Sequence, residues 1–336
     1  MAIITNTAEY LNRAVTETGD VAGGREDLSD VIYNISPTET PFMSNIGRSK
    51  ATSVRHEWQT DALAAATTNA QDQGRDYSGT STTFPIGSVT ATLRASNVTQ
   101  ICAKSFIIAG TTEALLKAGR KSEVAYQMAK KGKELKRDIE YNMTGVKTST
   151  VVAVSGTGGK SRSLEAWMYT NDGHQLVGTT GSTSSNATTG IVDGTQRNLT
   201  EDLVRTQISN IWTQGGDPEM ILCGPVNKQN ISSQFAGIAT LYREANAGPA
   251  TIVGASDMYV SDFGELKIVP SRFTRDRTIS IISKDMWAVA YLRPFQKIKL
   301  AKTGDNEKAL LLAEWTLESR QQAASGKVAD LNTTIL

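Results

Sequence analysis

The chain has 336 residues, enough for one large domain or two modest ones around a sizeable core. Its 35 basic and 34 acidic residues leave a formal charge of +1, which excludes a nucleic-acid binder held on by bulk charge. Charged residues are 21% and hydrophobic ones 39%, with Thr, Ser, Ala and Gly filling the difference, a mixture that suits strands, turns and loops. Two histidines, His56 and His174, cannot build a multi-His metal site. Cys102 and Cys223 form neither a C-x-x-C pair nor a disulfide framework. The opening residues lack the basic start and apolar run of a signal peptide, and no segment approaches about 18 uninterrupted apolar residues. The chain reads as soluble, made in a reducing cytosol, away from membranes and without a cofactor.

The first fifty residues are acidic and sparsely apolar. Glu9, Glu17, Asp20, Glu26, Asp27, Asp30 and Glu39 outnumber Arg13, Arg25, Arg48 and Lys50, and Gly19, Gly23 and Gly24 interrupt any helix. Residues 27–35 have amphipathic spacing, stopped by Pro37 and Pro41. Such a segment reads as an arm that needs a partner surface to be ordered. Residues 54–59 (VRHEWQ) alternate Val54, His56 and Trp58 with Arg55, Glu57 and Gln59, the period of a strand, and residues 89–94 resume that pattern. The polar stretch between them makes an extended hairpin with a long loop. Loops of that length are often functional, and this one carries no catalytic constellation. Arm and loop are therefore expected to contact neighbouring subunits more than their own core.

Residues 122–143 form the best helix of the chain. Ser122 is its N-cap, and Val124, Met128, Leu135, Ile139 and Met143 lie on one stripe. Glu134, Asp138 and Glu140 read as its solvent face, paired with Lys130, Lys131, Lys133, Lys136 and Arg137. A short helix at 112–118 precedes it. After a Gly/Ser/Thr-rich stretch, Thr200 caps a helix with Leu203, Val204, Ile208, Ile211 and Trp212 facing inward. A buried strand at 219–223 and a helix opened by Pro225 follow, and the alternation suggests a small compact unit. The last eighty residues read as strands: a hairpin of 258–261 with 265–269, then 278–283, 287–292, 295–301 and 309–319.

No motif assembles an active site. Residues 151–161 (VVAVSGTGGKS) look like a phosphate-cradling loop, but that pattern needs Gly five residues before Gly159, where Val154 stands. A glycine hairpin explains the segment better. No G-x-S-x-G occurs. His56 reads as a packed or surface histidine, His174 as part of a solvated turn, and Cys102 and Cys223 as buried and inert. The basic helix cluster reads as a solvated face, since no aromatic platform accompanies it. Arg272, Arg275 and Arg277 surround Phe273, and that arginine–aromatic cluster is expected at a subunit contact. So are Arg55 and Trp58 of the hairpin and Tyr77 and Phe84 of its loop.

Residues 27–62 (DLSDVIYNISPTETPFMSNIGRSKATSVRHEWQTDA) resemble the start of major capsid proteins of tailed bacteriophages, in particular those of enterobacterial elongated-head phages. Residues 313–331 (AEWTLESRQQAASGKVADL) are similar to the end of the same family. The resemblance implies an α+β fold of the Hong-Kong-97 type: an N-terminal arm (1–50), an extended loop (51–105), a peripheral domain with a spine helix (106–149 and 256–336) and an axial domain (150–255). It implies a non-enzymatic virion protein that assembles in the host bacterial cytoplasm into hexamers and pentamers around double-stranded DNA, touched non-specifically. Its further partners would be a portal, a separate scaffolding protein and decoration proteins. Encapsulin shells share this fold and are the alternative reading. A nucleotide-using enzyme, the third, rests only on the failed glycine loop.

The capsid that gives this fold its name is locked by an isopeptide bond from an extended-loop lysine to a neighbour's asparagine. Residues 51–103 here contain no lysine, and a guanidinium stays protonated and is a poor nucleophile. Mature particles boiled in detergent and reductant are expected to run as one band near 36.1 kDa. A surviving ladder of higher bands would contradict this.

Overall fold

The computed structural model describes residues 38–68, 70, 73–74, 91–117, 119–173, 191, 193–235 and 256–335. The described backbone opens with a short helix, α1 (Pro41–Asn45), then strands β1 (Gly47–Lys50), β2 (Arg55–Thr60), β3 (Leu93–Val98) and β4 (Gln100–Ala109). Next come α2 (Gly110–Ala114), the long helix α3 (Glu123–Thr144), the single turn α4 (Leu164–Trp167), α5 (Glu201–Thr213), β5 (Met220–Cys223) and α6 (Pro225–Gln234). Strands β6 (Met258–Ser261), β7 (Gly264–Pro270), β8 (Ile279–Ile282), β9 (Trp287–Lys299), β10 (Asn306–Ser319) and β11 (Gly326–Val328) follow.

Two sheets and a hairpin organise these elements. The first sheet has the order β1-β9-β10-β4, the second β11-β8-β5-β7-β6, and β2 pairs with β3 alone. Helix α3 lies on the first sheet. Ser122 caps it as expected, its hydroxyl accepting the Ala125 N–H at 3.3 Å. Leu135, Ile139 and Met143 bury the inner stripe against Trp287, Val289, Trp315 and Leu317. A second core lies under α5 and α6, with Val204, Ile208 and Ile211 against Ile221, Leu266, Ile268 and Ile281. Strands β5 and β8 of the second sheet are covered on both faces: Met220, Leu222 and Ile282 belong to the first core, while Ile221, Cys223, Ile279 and Ile281 belong to the second. That double burial explains why β5 reads MILC without polar alternation.

Several expectations are corrected. The strand arms of the hairpin pair Arg55 with Val98 and Thr60 with Leu93, so the second arm falls later than residues 89–94. The short helix sits at Gly110–Ala114. β9 is one strand running through Pro294, not two. Two register shifts, at Leu312/Glu314 and Glu314/Trp315, open its pairing with β10 there, and β1 pairs no further along β9 than Tyr291. A proline with no N–H to donate fits an edge beside a bulge. Trp212 is 57% exposed, because it lies at the flank of the Val204–Ile208–Ile211 stripe, where it meets the Phe263 ring at 5.1 Å. Of the last strands, only β9 and β10 return to the sheet under α3, while β6, β7, β8 and β11 join β5. Residues 41–50, read as part of the arm, sit in their own subunit: Phe42, Met43 and Ile46 are core residues, and β1 pairs in parallel with β9.

The largest correction concerns Glu140. It is 0% exposed rather than on the solvent face. Its two oxygens accept the N–H groups of Phe42 and Met43 at 2.7 and 2.9 Å, capping the first turn of α1 from a helix nearly a hundred residues away. Burial pushes its carboxyl up to about 7, against which those two N–H groups pull down. Between its ordinary value of 4.5 and about 7, the folded chain binds a proton that the unfolded chain has released. This contribution to stability is therefore present at low pH and lost as pH rises through that window. Urea denaturation at pH 5 and pH 7.5 is expected to show wild type losing on the order of 3 kcal/mol relative to Glu140→Gln. Equal pH slopes for the two chains would refute the assignment.

Candidate assembly interface

The extended hairpin is anchored at its base by buried polar groups. Asn97, fully buried in β3, donates to the Leu317 carbonyl at 2.7 Å and to Ser161 at 3.1 Å, and accepts from Arg162 N–H at 3.0 Å. Next to it, the Thr99 hydroxyl donates to Glu314 at 2.8 Å, and Glu314 also takes Arg293 at 2.6 Å. On β2, Trp58 packs on the first core and against Trp167 at 5.4 Å, and His56 reaches Glu318 at 3.2 Å. Glu318 is held below its ordinary range. Burial would raise it, but hydrogen bonds from Ser49, His56 and Arg320 outweigh that. Arg55, Glu57 and Gln59 face outward, so the alternation read in the sequence is the alternation of the strand. Tyr77 and Phe84 lie outside the described residues.

An exposed apolar surface lies on the outer half of the face of the first sheet opposite α3. On β4, Cys102, Lys104, Phe106 and Ile108 alternate with Ile101, Ala103, Ser105 and Ile107, and the second set is exposed. Ile101 is 55% exposed and Ile107 62%. Across the ladder, half-buried Leu310 of β10 and exposed Ile298 of β9 share that face by register, while Leu312 on it is buried. β4 is also the edge of its sheet, ten residues long. A long, apolar, unprotected edge is a template for pairing with another chain. Sequence reasoning missed this face, although the IxAxSxI alternation of β4 is its signal.

The arginine cluster divides. Arg272 is exposed, and Phe273 is half-buried in a surface groove beside Cys102, Arg137 and Tyr141. Arg275 is engaged inside its own chain. It pairs with both oxygens of buried Glu165 at 3.0 and 2.9 Å and with Asp193 at 2.7 Å. Thr278 and the backbone around Glu165 complete the knot, the latter taking Lys327 at 3.0 Å. Arg277 donates to the Gly194 carbonyl at 2.7 Å and lies 3.8 Å from Asp330. The glycine loop is a hairpin: Val151 pairs with Lys160 and Val154 with Thr157, turning at Gly156 with φ +82°. It opens no helix, so no helix N-terminus faces a phosphate there. Both cysteines are buried, and burial pushes their thiols up, Cys223 to about 12.

Solved structures share this architecture. The cyanophage A-1(L) capsid asymmetric unit superposes with a TM-score of 0.62 at 11% identity, over 91% of this chain and 97% of that one. The capsid of Myoviridae phage XM1 gives 0.56 at 10% identity, over 94% and 100%. A sheet-borne spine helix, a second sheet whose central strands are covered on both faces and a hairpin make a fold of the Hong-Kong-97 capsid type. The chain belongs to the SU10 major capsid protein family, which it matches over residues 4–332. It is 25% identical to the major capsid protein of Escherichia phage Phieco32, over 91% of this chain and 94% of that protein. It is thus a phage major capsid protein, a virion component that self-associates into a capsid, and an encapsulin is not favoured.

The arginines should separate experimentally. Arg275→Ala leaves buried Glu165 without its counter-charge and is expected to cost about 3–5 kcal/mol in denaturant unfolding. Arg272→Ala should change stability by less than about 0.5 kcal/mol. Equal effects would remove the distinction.

Proposed function

We propose that copies of this chain form hexamers and pentamers, and that these close into a head around double-stranded DNA. The observation that carries this reading is the apolar face of β4, β9 and β10 that no described residue covers, on an edge strand that a free monomer would have to protect. Its occupant in the shell is the extended hairpin of a neighbouring copy, whose described residues expose Val54, Leu63 and Leu93. Ring-forming contacts of this kind are heterologous, one patch meeting a different patch. The work of the chain is structural rather than catalytic, and the buried thiols and hairpin-bound glycine loop support that.

The domain division follows the two sheets. Residues before about 40 form the arm. The peripheral body is α3 with the sheet of β1, β9, β10 and β4, and the axial body is the second sheet with α5 and α6. Of the expected contact residues, Arg55, Arg272 and Phe273 have accessible side chains, and Trp58 serves chiefly to seat the hairpin. A charge of +1 favours non-specific containment of DNA over tight binding. A portal, a separate scaffolding protein and decoration proteins complete the partners, and assembly proceeds in the host cytoplasm.

Electron microscopy of the expressed protein tests the reading: closed shells, tubes or sheets are expected. Ile101→Asp combined with Ile107→Lys should lower the sedimenting particle fraction at least tenfold and leave the subunit's unfolding within about 1 kcal/mol of wild type. Undiminished particle yield would show that this face is not the contact.

A further inference from the structure

One stripe of α3 carries charge that no described residue pairs with. Lys130, Lys133 and Lys136 are exposed and Arg137 half-buried. The acids of the helix are engaged elsewhere: Glu123 with Arg120, Glu134 with Lys131 at 2.8 Å, Asp138 with Lys104 at 2.7 Å, and Glu140 with backbone N–H groups. None of Lys130, Lys133, Lys136 and Arg137 has an ion-pair partner among the described residues. They stand three, four, seven and ten residues before Glu140, so they form one ladder along the flank of the helix on which Glu140 lies. The far end, Lys130, is about 15 Å from Glu140 along the helix axis.

Glu140 is where the arm joins the body, because it holds the N–H groups of Phe42 and Met43. The chain before that root is acidic: residues 1–37 hold six acidic and two basic residues, a formal −4. Three of the acids, Glu26, Asp27 and Asp30, lie within five positions, and Asp30 is twelve residues before Phe42. Twelve residues reach up to about 40 Å, well past the ladder. A tether that short raises the local concentration of the acids to roughly millimolar, so the ladder of the same chain is favoured over that of a second copy.

We propose that the acidic segment 26–30 docks on the Lys130–Lys133–Lys136–Arg137 ladder of its own chain, laying the arm along α3. The cations and carboxylates meet at the surface, so the contact weakens with salt. It differs from the expectation that the whole arm crosses to neighbours, since this part is held at home, next to its root.

Zero-length carbodiimide cross-linking tests the contact, using protein mixed from isotopically heavy and light chains. Amide links from Glu26, Asp27 or Asp30 to Lys130, Lys133 or Lys136 are expected within chains of one isotope, falling at least fivefold in ~0.5 M salt. Lys130→Glu with Lys133→Glu and Lys136→Glu should abolish them. Adding Glu26→Lys, Asp27→Lys and Asp30→Lys should restore links of reversed polarity, with circular dichroism confirming that each variant folds. Absence of these links, mainly mixed-isotope links, or links displaced by a short DNA duplex would each overturn the proposal. The last two would assign the ladder to a second copy or to the genome. The readout does not depend on whether shells form, so it stands apart from the assembly test.

Discussion

The antiparallel pairing of β9 with β10 is the interaction on which the rest of this subunit depends. One half of the ladder is core: Trp287 to Ala290 and Ala313 to Ser319 are buried, and the Trp287 and Trp315 indoles are fully enclosed. Each indole N–H has a partner, Ser325 at 2.9 Å for Trp287 and the Cys102 sulfur at 3.3 Å for Trp315, so large rings are buried without an orphaned donor. The other half runs outward and takes β4 with it, which makes the exposed face. The same two strands therefore hold the fold together and carry the exposed apolar face on their outer half.

Around that ladder, buried polar groups decide how sequence-distant pieces are seated. Asn97 ties the hairpin to β10, Glu140 ties α1 to α3, and Arg275 ties the segments around Glu165 and Asp193 to the chain between β7 and β8. A buried polar group with its partners made adds little net stability, but leaving one partner unmade is expensive, so such groups permit few alternative arrangements. That suits a subunit whose projections must meet identical copies at fixed positions.

What could be read in the chain was local. Ser122 with its apolar stripe announced α3, the run EMILC announced a buried strand, and the VRHEWQ alternation held residue by residue in β2. The failures share a cause: each turned on a partner far away in sequence. Glu140 looks like a solvent-face acid on any helical projection, since nothing in positions 122–144 reveals the amides of Phe42 and Met43. Arg275 looks like a surface arginine until Glu165 and Asp193 are brought to it. Pro294 looks like a strand end because the bulge that tolerates it is made by β10. The apolar alternation of β4 was present but unread as a surface, because period-2 patterning marks two faces without saying which is covered.

The paired bulges have a mechanical consequence. Between Leu312 and Trp315 the β9–β10 ladder slips twice, so the buried and outer halves of β9 are joined where its pairing with β10 is interrupted, while β10 stays in register with β4 across the same residues. The outer part of β9 beyond Pro294 is about 17 Å long, so a rotation of about 10° at the bulges carries its end through about 3 Å. A closed surface built from one kind of tile must bend by different amounts at different places. Here the interruption is confined to a few residues of the β9–β10 pairing, so β9 can adjust beyond Pro294 while β10 keeps its register with β4.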